Sequence, residues 1–212
     1  MSVWPLFDLR IQTPLLELKL PKDNDLLDLA ERARGNILDA DSQHYMNGWT
    51  LDESPTFYTN FLQYHWGIRA SFSPDHWQLM LGIYLQGETQ PIGMMDINAQ
   101  HFLQRKLVET GSWILKDHQG QGLGREARAA VLQLAFAGLG AAEAHSSAAV
   151  DNQVSGRVSL GLGYELNGKF IVKSGDLGQP VQSYRLTKGN WQSRDDIQII
   201  GLDECLSLFG LD

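Results

Sequence analysis

The stretch His118-Gln119-Gly120-Gln121-Gly122-Leu123-Gly124-Arg125 does most to define a chemistry. Three glycines within five residues let the backbone aim several N–H groups at one point. A strand pattern precedes the stretch and an Ala-rich helix pattern follows it, so the loop opens onto a helix N-terminus and its partial positive charge. Such a cradle suits a pyrophosphate. Lys116, Arg125 and Arg128 add cations there in an otherwise acidic chain. The plain alternative is a glycine-rich turn that holds nothing. Gly122, Gly124 and Ala127 also satisfy the G-x-G-x-x-A dinucleotide fingerprint, with Glu143 about 20 residues on. Against that reading, the strand before the loop carries Glu109, Thr110 and Ser112, whereas a buried parallel first strand is nearly all apolar. A long segment with strands of its own also precedes it. No G-K-S/T follows, which excludes a nucleotide P-loop.

The elements that must position this loop are legible from period and punctuation. Leu16 to Leu20 alternates apolar and charged, a half-buried strand ended by Pro21. Asp23 then caps a helix with Leu26, Leu27, Ala30 and Ala33 on one face, and Gly35 stops it. The stretch 36–53 reads as loop. Ser54-Pro55 reads as an N-cap and first helical position, opening a helix with Phe57, Phe61, Tyr64 and Ile68. Trp77 to Leu85 and Pro91 to Ile97 read as strands around Gln86-Gly87-Glu88. Leu107 to Leu115 is a strand, Gly122 to Phe136 a helix, Glu143 to Val150 a strand, and Asn152 to Leu162 a short helix. Tyr164 to Val172 and Val181 to Thr187 are further strands, and the tail is partly helical. A meander followed by strand–helix–strand–helix–strand makes an α/β domain around one mixed sheet. Residues 1–212 read as one domain, with a core over about 12–188 and a tail over 189–212.

Composition bounds the function. The chain has 212 residues, 43% of them hydrophobic, and a formal net charge of −8. That charge repels a phosphate backbone, which excludes general nucleic-acid binding, and it attracts a cationic substrate such as a protonated amine. No window reaches the ~18 apolar residues of a membrane span. The N-terminus lacks the basic and apolar regions of a signal peptide. The single cysteine, Cys205, forms no internal disulfide and reads as a packed thiol, consistent with a reducing cytoplasm.

Gln119-Gly120-Gln121-Gly122-Leu123-Gly124 resembles the Q/R-x-x-G-x-G/A loop that binds acyl-CoA pyrophosphate in the GNAT superfamily. Asn152 and Ser155, followed by Leu162-Gly163-Tyr164, resemble the N-x-x-S…L-G-Y/F signature of the branch that includes ribosomal-protein N-terminal acetyltransferases. The opening TPLLELKLP is similar to that branch too, although the close resemblance covers about Val108 to Tyr164. The resemblance implies a mixed, mostly antiparallel sheet of six or seven strands with about four helices. It also implies that the sheet splays between its fourth and fifth strands, here 108–115 and 143–150. The pantetheine arm would lie in the gap, paired with backbone groups of Trp113, Ile114 and Leu115. Gln121, Gly122, Gly124 and Arg125 would offer N–H groups to the pyrophosphate, within the loop formed with Gln119, Gly120 and Leu123. Asn152 would bond the arm, and Ser155 would lie near the thioester sulfur. The branch suggests a homodimer.

Transfer of an acyl group from a thioester to an amine needs a neutral amine, donors for the oxyanion, and compensation of the leaving thiolate. Glu109 is the candidate base, acting through water from the splayed strand, with Asp52 and Glu53 as alternatives. Ser155 is the candidate acid, and Tyr164 is expected to be structural. For the acceptor pocket the candidates are His44, Tyr45 and Trp49, with Tyr58, His65 and Trp66 on the second helix, where Tyr58 and Trp66 read as core. No C-x-x-C or H-x-x-x-H spacing occurs, so no metal is expected. The expected activity is an N-acyltransferase moving an acetyl or succinyl group from acetyl-CoA or succinyl-CoA to a primary amine of a protein N-terminus, a lysine or a small molecule. The competing class is a non-catalytic acyl-CoA sensor, and a dinucleotide oxidoreductase ranks third.

Overall fold

The computed structural model describes residues 3–37, 49–174 and 177–211. His44 and Tyr45 lie outside the described residues. The strands are β1 (Arg10–Gln12), β2 (Leu16–Lys19), β3 (His76–Leu85), β4 (Pro91–Gln100), β5 (Leu107–Ile114), β6 (Glu143–Ala149), β7 (Glu165–Ser174), β8 (Leu177–Thr187) and β9 (Gln198–Ile200). They form one sheet in the order β7-β8-β6-β5-β4-β3-β2-β1-β9. Only β5 and β6 pair in parallel; every other neighbouring pair is antiparallel. The sheet thus has nine strands, where six or seven are expected. The added ones are the three-residue β1 and β9, which are too short to show an alternation.

The helices are α1 (Asp23–Ala33), α2 (Phe57–Ala70), the single-turn α3 (Phe102–Arg105), α4 (Leu123–Gln133) and α5 (Gln153–Gly161). Lys22, not Asp23, is the N-cap of α1; its N–H donates to the Asp25 carboxylate at 3.0 Å, which suits an acidic group at a helix start. Helix α2 begins at Phe57 after Thr56, later than the Ser54-Pro55 signal suggests. Asp52 instead accepts the Ser54 N–H at 2.8 Å and holds the approach as a turn.

Helices α1 and α2 cover one face of the sheet. A small core there unites Leu26, Leu29, Ala33, Ile37, Met94 and Leu115, with Trp49, Phe61 and Trp113 packed on it. Helix α4 covers the other face. Its Ala127, Ala129, Ala130, Val131 and Leu132 are buried in the main core with Ile11, Leu18, Trp77, Leu81 and Val108. Helix α4 ends in one wider turn, Leu134–Gly138, and Trp191 stacks on Phe136 there. Cys205 is buried, and burial pushes its thiol up to about 11. No helix among the described residues is long and apolar enough to cross a membrane.

Candidate active site

Strands β5 and β6 pair from Leu107↔Glu143 to Thr110↔Ser146. Past that point β5 stays with β4 as far as Ile114, and β6 stays with β8 as far as Ala149. The two part and leave a cleft of about 570 Å3, lined by Gly111, Ser112 and Trp113 on one side and Ser147, Ala148 and Ala149 on the other. Asn152 and Ser155 of α5 line it as well, as do Trp49 and residues of α2. The splay falls between the two strands expected to part.

Antiparallel strands alternate hydrogen-bonded and non-bonded pairs. The Leu115 N–H bonds the Ile92 carbonyl at 2.9 Å, so Trp113 and Gly111 also face β4. Ser112 and Ile114 turn their backbone groups toward the gap. Of the three residues expected to pair with an extended ligand, Ile114 therefore has its polar backbone on the open side, whereas Trp113 and Leu115 bond β4. Ser112 takes the place that the sequence assigned to its neighbour, because the register with β4 cannot be read from one strand.

The chain leaves β5 through a short turn, Lys116–His118, into the glycine loop. Gly120 and Gly122 have φ of 74° and 80°, a region that residues with a Cβ disfavour. Gly122 is the N-cap of α4. Gln119 ties the loop down, its side-chain amide donating to the Ile114 carbonyl at 2.7 Å and to the Ile37 carbonyl at 2.9 Å. Gln121 donates to the Asp117 carbonyl. Residues 119–122 are exposed, Leu123 is buried beneath them, and Gly124 packs near Ile114. Arg125 donates to the Gly161 carbonyl at 2.8 Å and so joins the loop to the end of α5.

Arg128, expected beside the loop, is elsewhere. It is 3% exposed and lies under the cleft. One terminal nitrogen donates to Ser146 at 3.1 Å and Ser159 at 2.9 Å, and the other to Ser112 at 3.4 Å. Four residues on from Gly124, the helix has turned it inward.

Asn152 caps α5, its Oδ1 accepting the Ser155 N–H at 3.1 Å. Both side chains are partly buried. Tyr164 is buried, with its hydroxyl 3.3 Å from the Thr110 Oγ1, a packing position. Gly156 lets α5 approach β8: a Cβ there would stand 2.6 Å from the Tyr184 hydroxyl. Gly156→Ala is expected to lower stability by about 1–3 kcal/mol through overpacking and, by displacing Asn152 and Ser155, to weaken binding of whatever ligand the cleft holds. Denaturation and calorimetry check this; unchanged affinity would mean that the helix position is unimportant to the site.

On the α1–α2 side of the sheet, Asp96 of β4 stands opposite Gly111 and lines the cleft. Its carboxylate accepts from Gln78 and Asn98, each at 3.0 Å. Burial pushes the carboxyl up to about 6; the two amide donors pull it back, and the charge of Glu109 adds to the rise. Glu109 shares this sheet face but is exposed, and it pairs with Asn98 and His145 where β5 and β6 are still joined. It is not among the residues that line the cleft. Sequence reasoning missed Asp96; the available signal was a lone carboxylate within the apolar run of β4.

Trp49 packs on Phe57, Phe61 and Trp113, with ring centroids 5.3–6.3 Å apart. His65 is buried beside Phe61 and Tyr64, and burial holds its imidazole down to about 4, helped by Arg69, so it is neutral near pH 7. Asp52 lines the same wall, whereas Glu53 is exposed and does not. Trp66 is 45% exposed and donates to Asp23, and the Tyr58 hydroxyl bonds Glu31. Neither is the core residue that the sequence suggests, because α2 packs on α1 through polar edges as well.

A cleft lined from both faces of one sheet, with a glycine loop leading from one wall and a carboxylate on the other side, is the layout of a two-substrate group-transfer enzyme. The model of the acetyltransferase (GNAT) domain family matches residues 16–165, and the chain belongs to the GNAT acetyltransferases, whose reaction is acyl-CoA-dependent N-acetyl transfer. Solved structures share the fold. RimJ of Mycobacterium smegmatis, in complex with CoA-disulfide, is 15% identical with a TM-score of 0.69, over 96% of this chain and 95% of that one. A GNAT-family acetyltransferase from Bacillus anthracis is 17% identical with a TM-score of 0.67, over 85% and 99%. A chimera of the Vibrio cholerae spermidine N-acetyltransferase SpeG with hSSAT is 15% identical with a TM-score of 0.64, over 84% and 99%.

Proposed function

We propose that this cleft transfers an acetyl group from acetyl-CoA to a cationic primary amine. The observation that carries the reading is the parting of β5 and β6 beyond Thr110 and Ser146, with the glycine loop at the end of β5 and Asp96 across the sheet. The N–H groups of Gln121, Gly122, Gly124 and Arg125 hold the pyrophosphate. The Ser112 backbone and the Ile114 N–H are offered to the arm, the Ile114 carbonyl being held by Gln119, and Asn152 and Ser155 bond its far end. Asp96 receives the proton of the incoming ammonium, directly or through one water. With a carboxyl near 6 it is ionised at neutral pH yet basic enough to serve. Glu109, the base expected from the sequence, acts on Asp96 through its charge.

The acceptor side combines Trp49, Phe57 and Phe61 with Asp52 and Asp96. Aromatic faces and carboxylates attract an ammonium group, which fits an α-amine, a lysine or a polyamine. The same wall disfavours a succinyl donor. On that wall its carboxylate would face two like charges, which raises its cost of burial, while Arg128, the one guanidinium lining the cleft among the described residues, stands on the other face of the sheet. Arg69 is engaged with Asp23 and the Pro21 carbonyl, and Arg105 and Lys106 flank the opposite end of β5.

The test is CoA release from acetyl-CoA and succinyl-CoA against a panel of N-terminal peptides, lysine peptides and polyamines. Acetyl-CoA is expected to support turnover with a cationic amine. Binding of CoA without release on any amine would make the chain a sensor. Succinyl-CoA binding at least tenfold tighter than acetyl-CoA, a gain of ~1.4 kcal/mol, would overturn the choice of donor.

A further inference from the structure

Arg128 is a buried cation with no carboxylate partner, and its Nε no hydrogen-bond partner, among the described residues. A guanidinium stays charged in proteins, and burying one without a counter-ion is costly. Three serine hydroxyls offset part of that cost, but none carries charge. The site therefore has a positive group that no carboxylate among the described residues neutralises.

The position narrows what would neutralise it. Arg128 bonds Ser112 of β5, Ser146 of β6 and Ser159 of α5, so it touches all three walls where the strands part. It approaches from the α4 side. Asp96, Gly111 and Trp113 belong to the opposite face, where the amine must enter. An amine approaches a thioester carbonyl perpendicular to the plane that holds its oxygen and sulfur, so a group that compensates charge on the departing sulfur need only stand clear of that approach. Arg128 is also the only cationic residue lining the cleft among the described residues, since His65 is neutral. The other titratable groups around it are Asp96 on β4, Asp52 before α2, Tyr64 on α2 and Tyr164 at the start of β7. None of these supplies positive charge.

We propose that Arg128 is a catalytic residue that holds the negative charge of the departing CoA thiolate. The inference rests on the acyl-CoA reading above. The ammonium gives its first proton to Asp96, which passes it to solvent; the neutral amine nitrogen then bonds the thioester carbon, and its second proton passes to the Asp96 carboxylate so regenerated. The carbon–sulfur bond then breaks with its electron pair on sulfur, and the guanidinium compensates that charge. No proton donor to sulfur is needed within the step; the Ser155 hydroxyl serves as a hydrogen-bond donor beside it.

The experiment titrates the thiol of CoA bound to the wild-type protein by its ultraviolet thiolate absorbance. Binding of CoA and of desulfo-CoA is measured across the same pH range. The bound thiol is expected to titrate at least about one unit below free CoA, a tenfold preference for the thiolate, with CoA gaining on desulfo-CoA by that factor as pH rises. Arg128→Gln removes the gain, and Arg128→Lys keeps part of it. A bound thiol that titrates like free CoA in the wild type overturns the proposal whether or not the variants fold. Selective loss of succinyl-CoA affinity in Arg128→Gln, with the thiol unchanged, overturns it in favour of an acyl-carboxylate partner. Failure of wild type to bind CoA or desulfo-CoA sinks the acyl-CoA reading itself, and this inference with it.

Discussion

Asp96→Asn is expected to lower kcat by about 10²–10⁴-fold near neutral pH while leaving the KM for acetyl-CoA nearly unchanged. The isostere keeps size and hydrogen bonding but cannot take the amine proton. Gln78 and Asn98, which donate to the present carboxylate, can turn their amides to meet the new group. In the wild type, activity should rise through about pH 6 as Asp96 ionises, and the variant should lose that limb. Glu109→Gln should cost far less, since Glu109 acts on Asp96 only through charge. A large loss in Glu109→Gln with little in Asp96→Asn would return the base to β5. Stability gives an independent check. The folded carboxyl is raised above its ordinary value, so its contribution is full below about pH 4 and is lost as pH rises through about 6. Above that, Asp96→Asn should be the more stable protein by about 1–2 kcal/mol, less than the ~1.36 kcal/mol per unit would allow, because the group keeps some solvent contact. Activity and stability thus move in opposite directions, which a misfolded variant would not do.

Gly122→Val is expected to weaken CoA binding by more than about 100-fold, a loss of roughly 3 kcal/mol or more. The position has φ of 80°, where a β-branched residue is strained by about 1–3 kcal/mol. Relaxing that strain rotates the N–H groups away from their common point. No heavy atom lies within 4 Å of a Cβ built there, so the side chain has room and only the backbone strain lowers Tm, by about 2–4 °C per kcal/mol. Gly124→Val reaches the same end differently: its Cβ would stand 3.6 Å from the Ile114 Cδ1, and the added methyls would press α4 off the strand. Calorimetry with CoA decides. Unchanged affinity in Gly122→Val would mean that the loop does not hold the pyrophosphate.

The parts of the site that follow from local sequence were legible, and the parts that follow from register were not. The loop, the Asn152 cap and the strands on either side of the cleft are written in glycine spacing, capping residues and period-two runs. The sequence offered Glu109, with Asp52 and Glu53, and did not raise Asp96, because which residue of β4 stands opposite Gly111 is set by the hairpin joining β3 to β4. Arg128 reads as one more cation near a phosphate loop until the helical turn is counted from Gly122. The aromatic wall was foreseen at Trp49 and His65 but not at Phe57 and Phe61, which join it through the packing of α2 against Trp49.

The strand β9 pairs with β1, with Arg10 opposite Ile200. Contacts between such distant positions are slow to form, since the intervening chain must be closed into a loop before they contribute. Until they form, the β1 edge presents unpaired N–H and C=O groups that can template association with another chain. The tail residues, which take no part in the cleft, therefore replace the β1 edge by that of the equally short β9, where the sheet ends. Substitutions there would alter the yield of soluble protein while leaving the rate constants of the folded enzyme untouched.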